Sequence, residues 1–140
     1  NRERYAGYTV RQVCREMHSF YREAGVKELQ RLCFRSESFP EPAIAPKQAY
    51  EALVANNVDY VPLTEAAGRI SATLALIYPP GIGVIVPGER WDDRARPMRD
   101  YFLAFEESFN RFPGFNYEVQ GVFQERIDGR IKFHTYVVRE

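Results

Sequence analysis

Residues 123–138 read FQERIDGRIKFHTYVV, and the Asp128-Gly129 pair at their centre decides the fold class. Before it, Tyr117, Val119, Phe123 and Ile127 alternate with Glu118, Gln120, Gln124 and Arg126; after it, Ile131, Phe133, Thr135 and Val137 return at period two. Period two is the signature of strands, and Asp-Gly supplies the two left-handed residues that a two-residue hairpin turn requires. A β-hairpin is expected, with His134 on the face opposite Phe133 and Thr135.

Working upstream, Met98, Tyr101, Phe102, Phe105, Phe109 and Phe112 fall three or four residues apart, which lines one helix face with aromatic side chains. Asp92 or Asp93 is placed to cap this helix, and Pro113-Gly114 stops it. A stripe of this kind is core for a sheet to pack on. Before it lies YPPGIGVIVPGERW, residues 78–91. Pro79-Pro80-Gly81 removes ladder donors and forces a turn, so Gly83 to Val86 is expected as a short strand before Pro87-Gly88 turns again. Val58 to Leu63 and Ile70 to Ile77 are two further β-type runs. Their continuous apolar character predicts strands covered on both faces and central in the sheet.

The first third is helical. Thr9 and Gln12 form a capping box, with Tyr8 and Val13 at the staple positions. Val10, Val13, Met17, Tyr21 and Ala24 then recur at helical spacing up to Gly25, and a second helix is expected from about Val26 to Phe34 with Leu29, Leu32 and Cys33 inward. The prolines of SESFPEPAIAPKQ (residues 36–48) forbid continuous helix. Pro46 starts a third helix, with Ala49, Tyr50, Leu53 and Val54 as its buried stripe. The expected class is α+β: a mostly antiparallel sheet with packed helices, ending in a β-hairpin. Residues 1–140 read as one domain, with 1–45 a helical lead-in and Pro-rich loop and 46–140 the α+β core.

Nineteen Lys and Arg balance nineteen Asp and Glu among 140 residues, so no net field recruits nucleic acid or an anionic membrane. No stretch approaches the roughly 20 apolar residues of a membrane span, and residues 1–9 lack a signal-peptide core; a cytoplasmic location is expected. Two cysteines, Cys14 and Cys33, make no disulfide framework. The polar start without Met reads as a segment of something longer.

Candidate chemistry is sparse. Cys14 and His18 stand one helical turn apart, an arrangement that nucleophilic catalysis could use but that reads better as partly buried structure. His134 has no second ligand at metal spacing. Lys27, Lys47 and Lys132 sit in contexts that leave each solvated. Glu65, Arg69, Glu89 and Arg90 interrupt the apolar middle and flank its turns. They are expected to meet at one rim, either as an ion-pair latch or as a charged wall for a cationic ligand.

LTEAAGRISA (63–72), YPPGIGVIVPGE (78–89), the aromatic helix running into FPGF (112–115), and FQERIDGRIKFHTYVV together resemble the C-terminal domain of the bacterial pyridoxal-phosphate-dependent ornithine, lysine and arginine decarboxylases, over essentially the whole chain. VDYVPLTEAAGR and GERW are most similar to the ornithine enzymes. The resemblance implies the conversion of L-ornithine to putrescine and CO2 in polyamine biosynthesis, performed by a longer polypeptide. Its cofactor-holding lysine lies in a Ser-x-His-Lys motif that is missing here, so this segment is expected to carry no catalytic residue and, alone, no cofactor or metal. The implied partners are the large cofactor-binding domain of the same chain, a homodimer or higher homo-oligomer, and a small cationic amino acid as substrate. Glu65, Arg69, Tyr78, Pro79, Pro80, Gly81 and Glu89 are the implied interdomain or entrance residues. The other reading is a stand-alone ligand-binding or oligomerisation module without catalysis.

Overall fold

A computed structural model describes residues 3–78 and 81–140; the turn expected at Pro79 and Pro80 lies outside them. The order of elements is α1 (Val10–Glu23), α2 (Val26–Cys33), α3 (Pro46–Val54), β1 (Val58–Pro62), β2 (Ala75–Tyr78), β3 (Gly83–Ile85), α4 (Arg96–Arg111), β4 (Glu118–Gln120), β5 (Phe123–Ile127) and β6 (Arg130–Val138). The class is α+β, and every strand pair is antiparallel. The strands form two three-stranded sheets, ordered β1-β6-β5 and β3-β2-β4, where one was expected.

The hairpin forms as read. Ile127 pairs with Arg130, and both turn residues have positive φ, Asp128 at 49° and Gly129 at 78°, the combination of the turn type whose twist matches the strands. The alternating run from Tyr117 does not stay in one sheet: β4 pairs with β2, and β5 pairs with β6. The handover at Gly121 changes the parity. Val122 goes into the core, whereas Phe123 and Ile127 turn outward and Phe123 lies opposite His134.

Helix α4 is the spine. Met98, Tyr101, Phe102, Phe105, Phe109 and Phe112 are all buried, each contributing about 1.5–3 kcal/mol by leaving water, and the Phe109 and Phe133 rings meet edge to face at 5.4 Å. Asp92 does not cap this helix. Its carboxylate accepts from the Ala95 amide one turn earlier, because residues 92–95 form a lead-in turn and Ala95 stands at the cap.

Thr9 and Gln12 form the expected capping box on α1, and Gly25 ends the helix at φ 64°. Packing on α4 comes from the last turns of α1, where Phe20 meets Phe112 and Tyr21 meets Phe105. Val10 is therefore 80% exposed, contrary to its place in the periodic stripe. On α3 the contact stripe is narrower than expected. Ala49 is buried in a cluster with Val58, Ile70 and Val138, but Tyr50 and Val54 are 62% and 68% exposed.

Of the runs expected to be central, only β2 is. The strand from Ile70 starts late: Ile70 and Ser71 make isolated bridges to Arg90 and Val137. Those bridges join the two sheets, because residues 68–72 bond on one side to residues 88–91 and on the other to β6, as in Ser71 N–H to Glu89 O at 2.8 Å and Val138 N–H to Ile70 O at 2.8 Å. The proline-rich loop adds a further rung, with the Ala43 and Ile44 amides donating to Gly88 O.

Candidate functional site

The backbone ladder of residues 68–72 against 88–91 positions most of the charged residues singled out from sequence. Arg69, Glu89 and Arg90 lie on its adjoining rungs, and Glu65 lies on the preceding short turn Leu63–Glu65 with its side chain in solvent. These four do not form a latch with one another. Arg69 donates instead to Asp59 on β1 at 2.7 Å, and Arg139 donates to the other oxygen of that carboxylate at 2.9 Å. Hydrogen bonds from Arg69 and then Arg139 hold the Asp59 carboxyl below the usual range. Arg90 makes a two-pronged pair with Glu140 at 3.0 and 3.2 Å and also donates to Gly68 O. The arginines thus tie the ladder to β1 and to the residues after β6, partners that spacing alone did not reveal.

Glu89 is held differently. It is half-buried, and its Oε2 accepts from the Val86 amide at 2.8 Å, closing the Pro87-Gly88 turn. Burial pushes its pKa up against the lowering effect of that bond. The folded state therefore binds this proton more tightly than the unfolded chain, so the group's contribution to stability is lost as pH rises through the carboxylate range. Glu89→Gln keeps an acceptor for Val86 without the buried charge. Urea midpoints taken from about pH 4 to about pH 7 are expected to fall for wild type relative to the variant; parallel curves would contradict the assignment.

Tyr78 and Gly81 lie at the other end of the β2–β3 pair from Glu89, since Ala75 opposes Ile85 and Leu76 opposes Gly83. Tyr78 and Glu89, both implied at the entrance by the resemblance, thus lie on two separate rims. Side chains built on Gly81 and Gly83 would strike Tyr78 at 2.9 Å and Leu74 at 2.7 Å, so these glycines serve packing within the domain.

A concavity of about 940 Å³ lies elsewhere, lined by His18, Tyr21, Arg22, Lys27, Tyr101 and Tyr117 among others. Burial pushes the Tyr21 and Tyr101 hydroxyls to about 12, so neither exchanges a proton near neutrality. A smaller notch of about 240 Å³ contains Glu89 with Phe34, Phe39, Gly83 and Val86. Cys33 is buried and its thiol is pushed to about 12, far from the reactive thiolate range. Cys14 and His18 are both exposed on α1, not partly buried. Among the described residues no group of three or more His, Cys, Asp and Glu is arranged to hold a metal, and no helix is long and apolar enough to cross a membrane. The arrangement offers binding and packing surfaces; among the described residues it brings no nucleophile and base together in a buried site.

Ornithine decarboxylase of Haemophilus influenzae is 46% identical over 100% of this chain, which covers 19% of that enzyme. The inducible ornithine decarboxylase of Escherichia coli is 47% identical over 98% of the chain and 18% of its own length. Among solved structures, lysine decarboxylase A from Pseudomonas aeruginosa has the same fold, with a TM-score of 0.88 at 31% identity over 97% of this chain and 18% of that one. The chain spans about a fifth of the length of the curated relatives it matches. Residues 27–139 match the family described as Orn/Lys/Arg decarboxylase, C-terminal domain, and the chain belongs to that family.

Proposed function

We propose that this chain is the C-terminal domain, folded as one unit, of an ornithine decarboxylase that converts L-ornithine to putrescine and CO2 in the cytoplasm for polyamine synthesis. The observation that carries the reading is the identity of 46–47% along nearly the whole chain to two ornithine enzymes, against 40% over 86% of the chain to a lysine enzyme. A pyridoxal-phosphate cofactor belongs to the rest of the polypeptide in this reading. The residues present do not fit it: a Schiff-base lysine needs desolvation, but Lys27 is exposed, the Lys47 side chain is 83% exposed and Lys132 is paired with Glu106 at 3.2 Å. The domain's task is to pack on the large domain of a homodimer or higher homo-oligomer and to border the approach to its active site. Arg69, Tyr78 and Gly81 border that junction in this reading, and Glu65 and Glu89 meet the distal ammonium of the incoming substrate.

The test is CO2 release by the full polypeptide from L-ornithine, L-lysine and L-arginine. One methylene separates ornithine from lysine, which a side-chain pocket distinguishes by roughly 10–200-fold. Equal rates would overturn the assignment. Glu65→Gln and Glu89→Gln are each expected to raise KM for ornithine several-fold with kcat nearly unchanged, as loss of uniform binding does; an unchanged KM removes that residue from the entrance.

A further inference from the structure

Helix α2 begins without a side-chain cap. Gly25 stands at its N-cap, and the first bonds of the helix run from the Glu28 and Leu29 amides to the Gly25 carbonyl. The Val26 and Lys27 amides ahead of them take no partner among the described residues. Such orphan donors, with the positive end of the helix dipole behind them, favour an anion. Gly25, Val26 and Lys27 line the concavity of about 940 Å³, a volume in the range of small-molecule sites.

A second, independent feature of the same concavity points to a ligand. Tyr101 lines it and is only 8% exposed. Buried tyrosine hydroxyls normally find a hydrogen-bond partner, but this one bonds to no described residue, and it is not sealed in the core as Trp91 Nε1 and His134 Nδ1 are. It therefore opens into the concavity as an unused donor, kept protonated at neutral pH by burial. The Phe105 ring meets those of Tyr101 and Tyr117 edge to face at 5.0 and 5.1 Å, and with Ile77 they make an apolar floor. His18, Arg22, Lys27 and Arg31 stand around it. Glu28 is the one carboxylate in the described lining and is committed to Arg31, whereas Arg22 and Lys27 make no ion pair among the described residues.

We propose that this concavity binds a small free carboxylate with an apolar body and a polar far end: the carboxylate on the α2 N-terminus beside Arg22 and Lys27, the body on the Phe105 floor, and the far end accepting from the Tyr101 hydroxyl. Two free amides match the two oxygens of a carboxylate, whereas a phosphate cradle presents a longer run of amides from a glycine-rich turn. Glu28, in the first turn of α2, disfavours a second negative charge there. No residue of this site is among the interdomain and entrance residues of the reading above, so the proposal goes beyond that reading.

The test titrates 4-hydroxyphenylacetate against the full polypeptide by ligand-observed NMR. Saturable binding is expected, weaker by about tenfold or more for 4-hydroxyphenylacetamide, which keeps the body and loses the charge. Arg22→Gln with Lys27→Gln, at two exposed positions, is expected to weaken the acid by about tenfold as well. Tyr101→Phe keeps the ring and its packing; it is expected to weaken 4-hydroxyphenylacetate several-fold and to leave phenylacetate unchanged. No saturable binding, equal binding of acid and amide, or wild-type affinity for the acid in either variant overturns the proposal. The substrate assay is separate: rates that reject ornithine leave the binding result standing, and absent binding leaves the ornithine assignment standing.

Discussion

Alanine at position 121 is expected to destabilise the chain by about 4 kcal/mol or more, in the range that only a few mechanisms reach. Gly121 stands where β4 leaves one sheet and β5 enters the other, at φ 73°, and a Cβ there would lie 1.9 Å from the Leu74 carbonyl oxygen and 2.6 Å from its carbon. Backbone cannot yield as the end of a side chain can. The Gly121 carbonyl also accepts from the Thr73 and Thr135 hydroxyls, each at 3.0 Å, so any shift breaks bonds to β6 and to the segment leading into β2. Gly129→Ala separates collision from conformation: φ is 78° there too, but nothing lies within 4 Å, and only the left-handed cost of about 1–2 kcal/mol applies. Urea unfolding of both variants decides the matter. A Gly121→Ala chain no less stable than Gly129→Ala would mean that β4 and β5 do not cross there.

That glycine also marks where local signals stop sufficing. The turn at Asp128-Gly129, the capping box at Thr9 and the aromatic stripe of α4 are short-range patterns whose cause lies within a few residues, and each was legible. The division into two sheets was not, because it depends on Gly121 passing against Leu74, a contact across 47 positions that no periodicity encodes. Val10 shows the same limit from the helical side, since its phase matches the buried stripe but its turn extends past the end of the α4 contact. In the candidate site, the charge at Arg69 and Arg90 was visible, whereas their partners Asp59 and Glu140 became so only once β1 and β6 paired and carried residues after β6 alongside the ladder. Strand β3 was readable as short and bracketed by turns. Its position at an edge was not, because two covered faces look alike in sequence whether or not a neighbouring strand exists.

Glu106 and Glu107 provide a sharp contrast in what a carboxylate contributes to this fold. Strand β1 ends at the Pro62–His134 pairing, so the β6 edge at Ile131 and Phe133 extends past it, and α4 supplies the missing partners. Asn110 accepts from the Ile131 amide at 2.7 Å and donates to its carbonyl at 2.9 Å. Glu106 accepts from the Phe133 amide at 2.6 Å and from Lys132 at 3.2 Å, with its side chain only 11% exposed. Glu106→Ala leaves a buried N–H unpaired and removes the partner of a half-exposed ammonium, at an expected cost of about 3 kcal/mol. Glu106→Gln keeps an acceptor and is expected to lose only about 1 kcal/mol. Glu107 pairs with Arg130 at similar range, but with both side chains half exposed, so Glu107→Ala is expected to cost less than about 1 kcal/mol. Denaturant midpoints for the three variants give the order directly, and amide exchange at Phe133 should rise in Glu106→Ala alone. Equal losses at 106 and 107 would mean that the ion pairs, and not the capped strand edge, hold α4 to the sheet.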